Sequence, residues 1–303
     1  MLNNKDIFNQ SLVNHMYFAS SIRSFCTTIG LTFFKNNQDY IDRAIAIGRE
    51  ATEIINQALE YMDKELATDV INSDTYITPY SMDLALLTEE LFSINLEIAI
   101  DKDKEILNTR KNITINDDVM NKDYKLNEDA ERLINKFLSF VIEIRDKLSI
   151  GELFSYIYPD YYNYMYEEIS VYQRDLARIK TKEDYTNFYI NEYNYYFNEL
   201  LRKTGEYLRG FLDTTHQDVF DLLSYYIDAF SKLIEKYLKN KNDLSLTNET
   251  ERLVSNYKNF ITDIIERLLK SELYFITPPI SLDNFLTNIN VYLYIIDYIR
   301  KGR

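Results

Sequence analysis

Apolar residues return every three or four positions along most of this 303-residue chain, the spacing that lines one face of an α-helix. Phe220, Leu223, Ile227, Phe230, Ile234 and Tyr237 form one such stripe, and Leu133, Phe137, Phe140, Ile144 and Leu148 form another. A stripe needs partners, and four helices closing on one core is the usual way to supply them. The pattern predicts helices at 10–35, 38–65, 127–149 and 160–179, then at 183–211, 216–239, 248–271 and 281–300. Thr181 and Thr247 are N-cap candidates, and Ser281 follows Pro278-Pro279, which cannot continue a helix. Arg300, Lys301 and Arg303 suit the negative end of the last helix dipole. Ile77-Thr78-Pro79-Tyr80-Ser81 predicts a further helix start, with a short helix near 80–93, and the polar run Asp101–Asp123 reads as a mobile loop.

The pattern also repeats. Residues Leu126–Gln173 align without a gap on Leu246–Leu293, with Arg132/Arg252, Phe140/Phe260, Glu152/Glu272, Pro159/Pro279 and Tyr172/Tyr292 among the identities. A second match runs from Tyr17-Phe18 on Tyr196-Phe197 to Gln38-Asp39 on Gln217-Asp218. One unit duplicated in tandem accounts for both. The predicted domains are 1–181, carrying an insert at about 66–125, and 182–303.

Composition narrows the field. Only 6 Gly and 4 Pro are too few for the turns of an all-β protein, so the fold class is all-α. A formal charge of -14 opposes nucleic acid, whose phosphates call for Lys and Arg, and equally opposes an anionic membrane. No apolar run reaches the 18 or so residues of a membrane span, and the N-terminal residues lack the basic-then-apolar pattern of a signal peptide. Cytoplasmic synthesis is therefore expected. The single cysteine, Cys26, can form no internal disulfide and reads as a small packed residue.

The stretch YYFNELLRKTGEYLRGFLDTTHQD, Tyr195–Asp218, resembles a two-repeat family of spore-forming Firmicutes, domain-of-unknown-function family 2935, whose fold is ferritin-like. Tyr196-Phe197 falls on the family's aromatic pair, and Tyr207–Asp213 on its Phe-Ile-Arg-Gly-Leu-Leu-Asp run. Pro159 with Asn163-Tyr164 and Glu168, and Pro279 with Asp283-Asn284 and Asn288, fall on the start of its closing helix. The insert's YITPYSMDLALLTEE is similar to the family's interrepeat segment. The resemblance implies two ferritin-like up-and-down four-helix bundles in tandem. It also exposes departures: the first-helix His is replaced by Phe25 and Thr204, the last-helix His by Tyr164 and Asn284, and one last-helix carboxylate by Asn288. A di-iron or di-manganese bundle needs inward carboxylates and Glu-x-x-His pairs on facing helices, and no Glu-x-x-His exists here.

The remaining chemistry is sparse. His15 falls at an aromatic position of the pattern and reads as a packed or surface imidazole. Asp213-x-x-His216 has ligand-like spacing but sits at a predicted turn, where Asp213 or Thr214 reads better as a helix cap. Of Glu167-Glu168, Glu168 is the one expected to face inward, while Glu192, Glu199 and Glu206 read as a solvated stripe. No phosphate loop, nucleophile elbow or Cys-His pair is present, so nucleophilic catalysis has no visible machinery. The 27 tyrosines offer large contact area at low entropic cost, and Tyr158, Tyr161, Tyr162, Tyr164, Tyr166, Tyr195 and Tyr196 are the interaction candidates, with Tyr185 and Tyr189 nearby.

The reading is a non-enzymatic structural protein without a cofactor. The family resemblance makes the spore coat its expected place, with other coat proteins or further copies of itself as partners. The alternative is a metal-binding bundle with a reduced carboxylate site for Fe or Mn, drawn from Glu168 and Glu50.

Overall fold

The computed structural model describes residues 3–96, 100–182, 190–239 and 244–300. Among these the fold is all-α: eleven α-helices and one turn of 3-10 helix, Lys35–Asn37, with no β-strand. The helices are α1 Asn4–Thr32, α2 Gln38–Tyr61, α3 Lys64–Ser73, α4 Ser81–Phe92, α5 Ile100–Asn108 and α6 Asp117–Ser149, then α7 Pro159–Thr181, α8 Ile190–Phe211, α9 Gln217–Lys239, α10 Leu244–Leu269 and α11 Ile280–Arg300.

The chain divides into two compact units, Met1–Asn72 with Glu89–Asp184, and Ser73–Thr88 with Tyr185–Arg303. In the first, α1 packs on α2 and α7, and α6 closes the ring by packing on both α2 and α7. In the second, α8 packs on α9 and α11, and α10 on α9 and α11. Each unit is thus a four-helix bundle in which every apolar stripe has two neighbours. The segment Ser73–Thr88, read from sequence as part of the first unit's insert, groups with the second.

Both bundles are tied at one end in the same way. Phe33 and Ser155 form an isolated antiparallel bridge in the first, and Leu212 and Phe275, at the matching repeat positions, form one in the second. Tyr156 N donates to Thr32 O at 3.3 Å, and Ile276 N to Phe211 O at 2.9 Å. The third long helix of each unit stops in a Schellman turn. Glu152 N donates to Lys147 O and Gly151 N to Leu148 O, with Gly151 at φ 79. In the second unit Glu272 N donates to Arg267 O and Ser271 N to Leu268 O, but the left-handed residue is Ser271, at φ 59.

Several predicted ends move. α1 starts at Asn4 because the Asn3 side chain accepts from Asp6 N at 3.0 Å, so the helix gains a turn before residue 10. Thr181 ends α7 instead of opening a helix: its hydroxyl donates back to Ala177 O and Arg178 O, and Lys182 turns left-handed. Thr247 lies inside α10, and α11 starts at Ile280, one residue before Ser281. The run Asp101–Asp123 is not one loop; α5 occupies its first part, and α6 begins at Asp117, where Asn116 accepts from Val119 N at 3.0 Å. Lys301, Arg303, Tyr185 and Tyr189 lie outside the described residues.

Candidate functional site

The place to look first is where the resemblance puts a metal. In the first unit that position is filled by rings. Phe25 on α1 sits 5.9 Å from Tyr164, 6.5 Å from Tyr161 and 6.1 Å from Phe137, the first two edge-on and the third stacked. Tyr161 and Tyr164 stack on each other at 5.3 Å. All four are buried, so the volume is occupied by aromatic carbon. Glu168 is fully buried on α7, as its helical position predicts. Burial first, and the neighbouring Glu168 charge second, push the Tyr161 phenol above its ordinary range.

Glu50 is placed differently. It lies exposed on α2, where it pairs with Lys136 of α6. One carboxylate of the alternative pair is therefore a surface ion-pair partner and the other a core residue. Among the described residues no group of three or more His, Cys, Asp or Glu could share one ion. The matching positions of the second unit hold Thr204, Tyr257, Asn284 and Asn288, all buried. Neutral hydroxyls and amides are weak donors toward a hard cation. Among the described residues, the donors at these positions do not fit a di-metal centre.

The polar centre of the first unit lies elsewhere, between α1, α6 and α7, and is built on His15. Ser11 Oγ donates to Asn127 Oδ1 at 3.1 Å, so its oxygen is left to accept from His15 Nε2, 3.2 Å away. His15 is then the Nε2–H tautomer, and its Nδ1 accepts the Tyr172 hydroxyl at 2.5 Å. Asn127 Nδ2 donates to the Asp123 backbone oxygen at 2.9 Å and to Asp123 Oδ2 at 3.2 Å. All five side chains are buried. Burial drives the His15 pKa down to about 3, and pushes the Asp123 carboxyl up to about 6 against the hydrogen bond from Asn127.

The second unit carries a neutral version of the same arrangement. Tyr292 donates to Asn194 Oδ1 at 2.9 Å and accepts from Asn198 Nδ2 at 3.1 Å. Asn194, which precedes Phe197 by the same three positions as His15 precedes Phe18, accepts from Tyr292 as His15 Nδ1 accepts from Tyr172. The ring above it is kept too: Phe18 stacks on Tyr172 at 4.8 Å and 12°, and Phe197 on Tyr292 at 4.8 Å and 11°. His15 is therefore a packing residue with one acceptor role. Ser11, His15 and Asp123 are the residue types of a hydrolytic trio, but Tyr172, not Asp123, holds the imidazole Nδ1.

His216 is no ligand partner of Asp213. Asp213 Oδ1 accepts from Thr215 N at 2.8 Å and from the Thr215 hydroxyl at 2.7 Å, and these bonds hold its carboxyl below the usual range. The pair forms a turn before α9, with His216 N donating to Asp213 O. Glu199 and Glu206 share Arg202 on the outside of α8. Cys26 is buried, which pushes its thiol above the reactive range.

The tyrosine candidates separate by burial. Tyr161, Tyr162 and Tyr164 are core residues, so the expectation that they form a contact surface is corrected; the Tyr162 phenol is pushed up to about 12 by the same burial. Tyr158 and Tyr195 are exposed, and Tyr166 and Tyr196 are partly so. One exposed aromatic group among the described residues is one that periodicity passed over. Phe34, Phe154 and Tyr156 lie within 5.0–6.1 Å of one another at the bridged end of the first bundle, all exposed. The signal was present: large apolar residues in turns, where no helical stripe can claim them.

No helix among the described residues is long and apolar enough to cross a membrane. No family model matches the chain. The chain is 20% identical over 299 residues to the spore coat protein CotB of Clostridioides difficile (strain 630), covering 98% of each. Its fold is similar to that of a crystal structure of an uncharacterized protein from Bacillus cereus G9241, with a TM-score of 0.71 at 13% identity over 99% of this chain and 94% of the other.

Proposed function

We propose that this chain is a non-enzymatic structural protein of a spore coat, built from two tandem ferritin-like bundles whose metal-binding positions have been refilled. The carrying observation is the similarity to a spore coat protein along the whole of both chains. Similarity that runs end to end through both units is expected of a shared building block, whereas a borrowed domain would match over a part.

Two features of the molecule support the finer reading. The matching end bridges, Schellman turns and stacked ring pairs favour duplication of one unit. The rings at Phe25, Tyr161 and Tyr164, against the neutral Thr204, Asn284 and Asn288, favour loss of an ancestral metal site by packing rather than its remodelling into another. In this role the partners are other coat proteins or further copies, met through exposed aromatics such as Phe34, Phe154 and Tyr156.

Fractionation tests the reading directly. Purified spores stripped with detergent and reductant should yield the protein in the coat extract, with none in vegetative cells. Its presence in vegetative cytosol and absence from the coat would refute the proposal. Elemental mass spectrometry on protein expressed with added iron and manganese tests the lost site. A stoichiometric ion whose content falls in Glu168→Gln would revive the metal reading.

A further inference from the structure

Inside the second unit, two pairs of helices are tied by buried neutral side chains. Between α9 and α10, the Tyr237 and Thr250 hydroxyls lie 2.8 Å apart. Between α8 and α11, Tyr292 donates to Asn194 Oδ1 at 2.9 Å, while Asn198 Nδ2 donates to the Tyr292 oxygen at 3.1 Å and to Asn194 O at 2.7 Å. Asn194 is 2% exposed, and Asn198 and Tyr292 are 0% exposed. A carboxamide brings two N–H donors and one carbonyl acceptor, so its bonds can be counted against its groups. Both Asn198 donors are used, but its Oδ1 meets no partner among the described residues. Asn194 Oδ1 is used, but its Nδ2 meets none.

Turning either amide over does not remove the deficit. Reversing Asn198 would set its oxygen against the Asn194 carbonyl and forfeit both donations, and reversing Asn194 only exchanges which of its ends is unmet. Buried amide ends are costly to leave unmet, and in folded proteins water meets them where no protein group reaches. The first unit avoids the problem. There His15 Nε2 finds Ser11 four positions earlier, and the residue four positions later is Ala19, which has no amide to satisfy. Four positions before Asn194 the sequence has Ile190, an aliphatic residue.

We propose that the second unit binds one ordered water molecule between Asn194 Nδ2 and Asn198 Oδ1, as a fixed part of the tie between α8 and α11. Residues four apart share a helix face with Cβ atoms about 5–6 Å apart, a span that one water closes with two hydrogen bonds of about 2.9 Å. The water accepts from Asn194 Nδ2 and donates to Asn198 Oδ1, so donors and acceptors balance. The ligand is neutral because its site is. Asn194, Asn198 and Tyr292 carry no charge, and an ion brought among them would lose its hydration with nothing of opposite sign in return. The inference rests on hydrogen bonds within one unit and does not depend on the coat reading.

A high-resolution crystal structure of the full chain is the first test. It should show a single rounded density peak within hydrogen-bonding distance of both atoms. In solution, the Asn194 side-chain NH2 should give a nitrogen-edited ROESY cross-peak with water, of the sign that direct dipolar contact produces and opposite to that of hydrogen exchange. Asn198→Ala removes the acceptor and should lower that cross-peak at least tenfold. If this variant does not fold, the density in the parent chain decides alone. No density between the two amides, density too large for one water, protein groups on both amide ends, or an unchanged cross-peak in a folded Asn198→Ala would each overturn the proposal.

Discussion

His15 and Asp123 lie in one buried network and should respond to acid in opposite directions. His15 has an ordinary pKa of 6.5 and about 3 in the fold, so the unfolded chain takes up the proton first. Its contribution is fully present above pH 6.5 and is lost as pH falls from there toward 3. Asp123 rises from 3.8 to about 6, so here the folded state takes up the proton first, and stability grows as pH falls from about 6 toward 3.8. Between about pH 7.5 and about pH 4.5, linkage gives a loss of about 3 kcal/mol from His15 and a gain of about 2 kcal/mol from Asp123. The two nearly cancel, and single substitutions should separate them. Asp123→Asn removes the buried charge and should stabilise by about 2–3 kcal/mol near neutrality, an advantage that shrinks by about 2 kcal/mol at the lower pH. His15→Asn, which installs the residue that serves Tyr292 in the second unit, keeps the acceptor for Tyr172. Relative to the parent it should improve by about 3 kcal/mol on acidification. Guanidinium unfolding of parent and variants at the two pH values reads this directly, because all other titrations are common and cancel in the difference. Differences that do not change with pH, or that move the same way in both variants, would refute the assignment of a neutral His15 and a half-titrating Asp123.

Other outcomes follow from single contacts. A Cβ at Gly205 would meet Ile227 Cγ1 at 3.0 Å, so Gly205→Ala should cost about 1–2 kcal/mol after the helix propensity that Ala gains, and Ile227→Ala, which removes that carbon, should cancel most of this cost in a double-mutant cycle. Ser271→Gly should stabilise the second unit by about 0.5–1 kcal/mol, and Gly151→Ser should destabilise the first by a similar amount, because nothing lies within 4 Å of a Cβ at Gly151 and only its φ is at stake. The Cys26 thiol should react with a disulfide reagent only as fast as the first unit opens; rapid labelling of the native protein would show that α1 does not seal it.

Helical stripes made most of the bundle readable, and the places where reading failed have physical causes. α6 was expected from residue 127 but starts at Asp117, because two of the positions on its buried stripe are Asp123 and Asn127. Polar residues that find their partners on α1 look like a solvated run when the partners are unknown. Tyr161, Tyr162 and Tyr164 were read as contact surface for the converse reason: a phenol carries both an apolar ring and a polar tip, so its side of the helix is decided by packing that periodicity alone does not show. Glu168 was placed correctly as inward, since Tyr161, Met165, Glu168 and Tyr172 follow one helical face. The segment Ser73–Thr88 was legible as a Thr-Pro helix start but not in the unit it joins. Docking on another unit depends on Asp283 and Ile280, some two hundred positions away.

Aligned positions of the two units show which features each keeps and which it varies. Where α1 meets α2, Gly48 leaves room for Cys26, with a Cβ at Gly48 only 3.3 Å from the Cys26 Cβ. Where α8 meets α9, the glycine stands on the other helix, Gly205 against Ile227. Close approach of two long helices requires one residue without a side chain, but either helix can supply it. At the ring pair, which needs a particular shape on both sides, Phe18 with Tyr172 and Phe197 with Tyr292 are unchanged. At the positions where the resemblance would put a metal, the units share burial and one aromatic pair, Phe137 and Tyr257, and differ elsewhere: Phe25 against Thr204, Tyr164 against Asn284, Glu168 against Asn288. Shared chemistry would have held those residues to a common set of donors. Filling of volume would not, and that is the contrast the proposed structural role rests on.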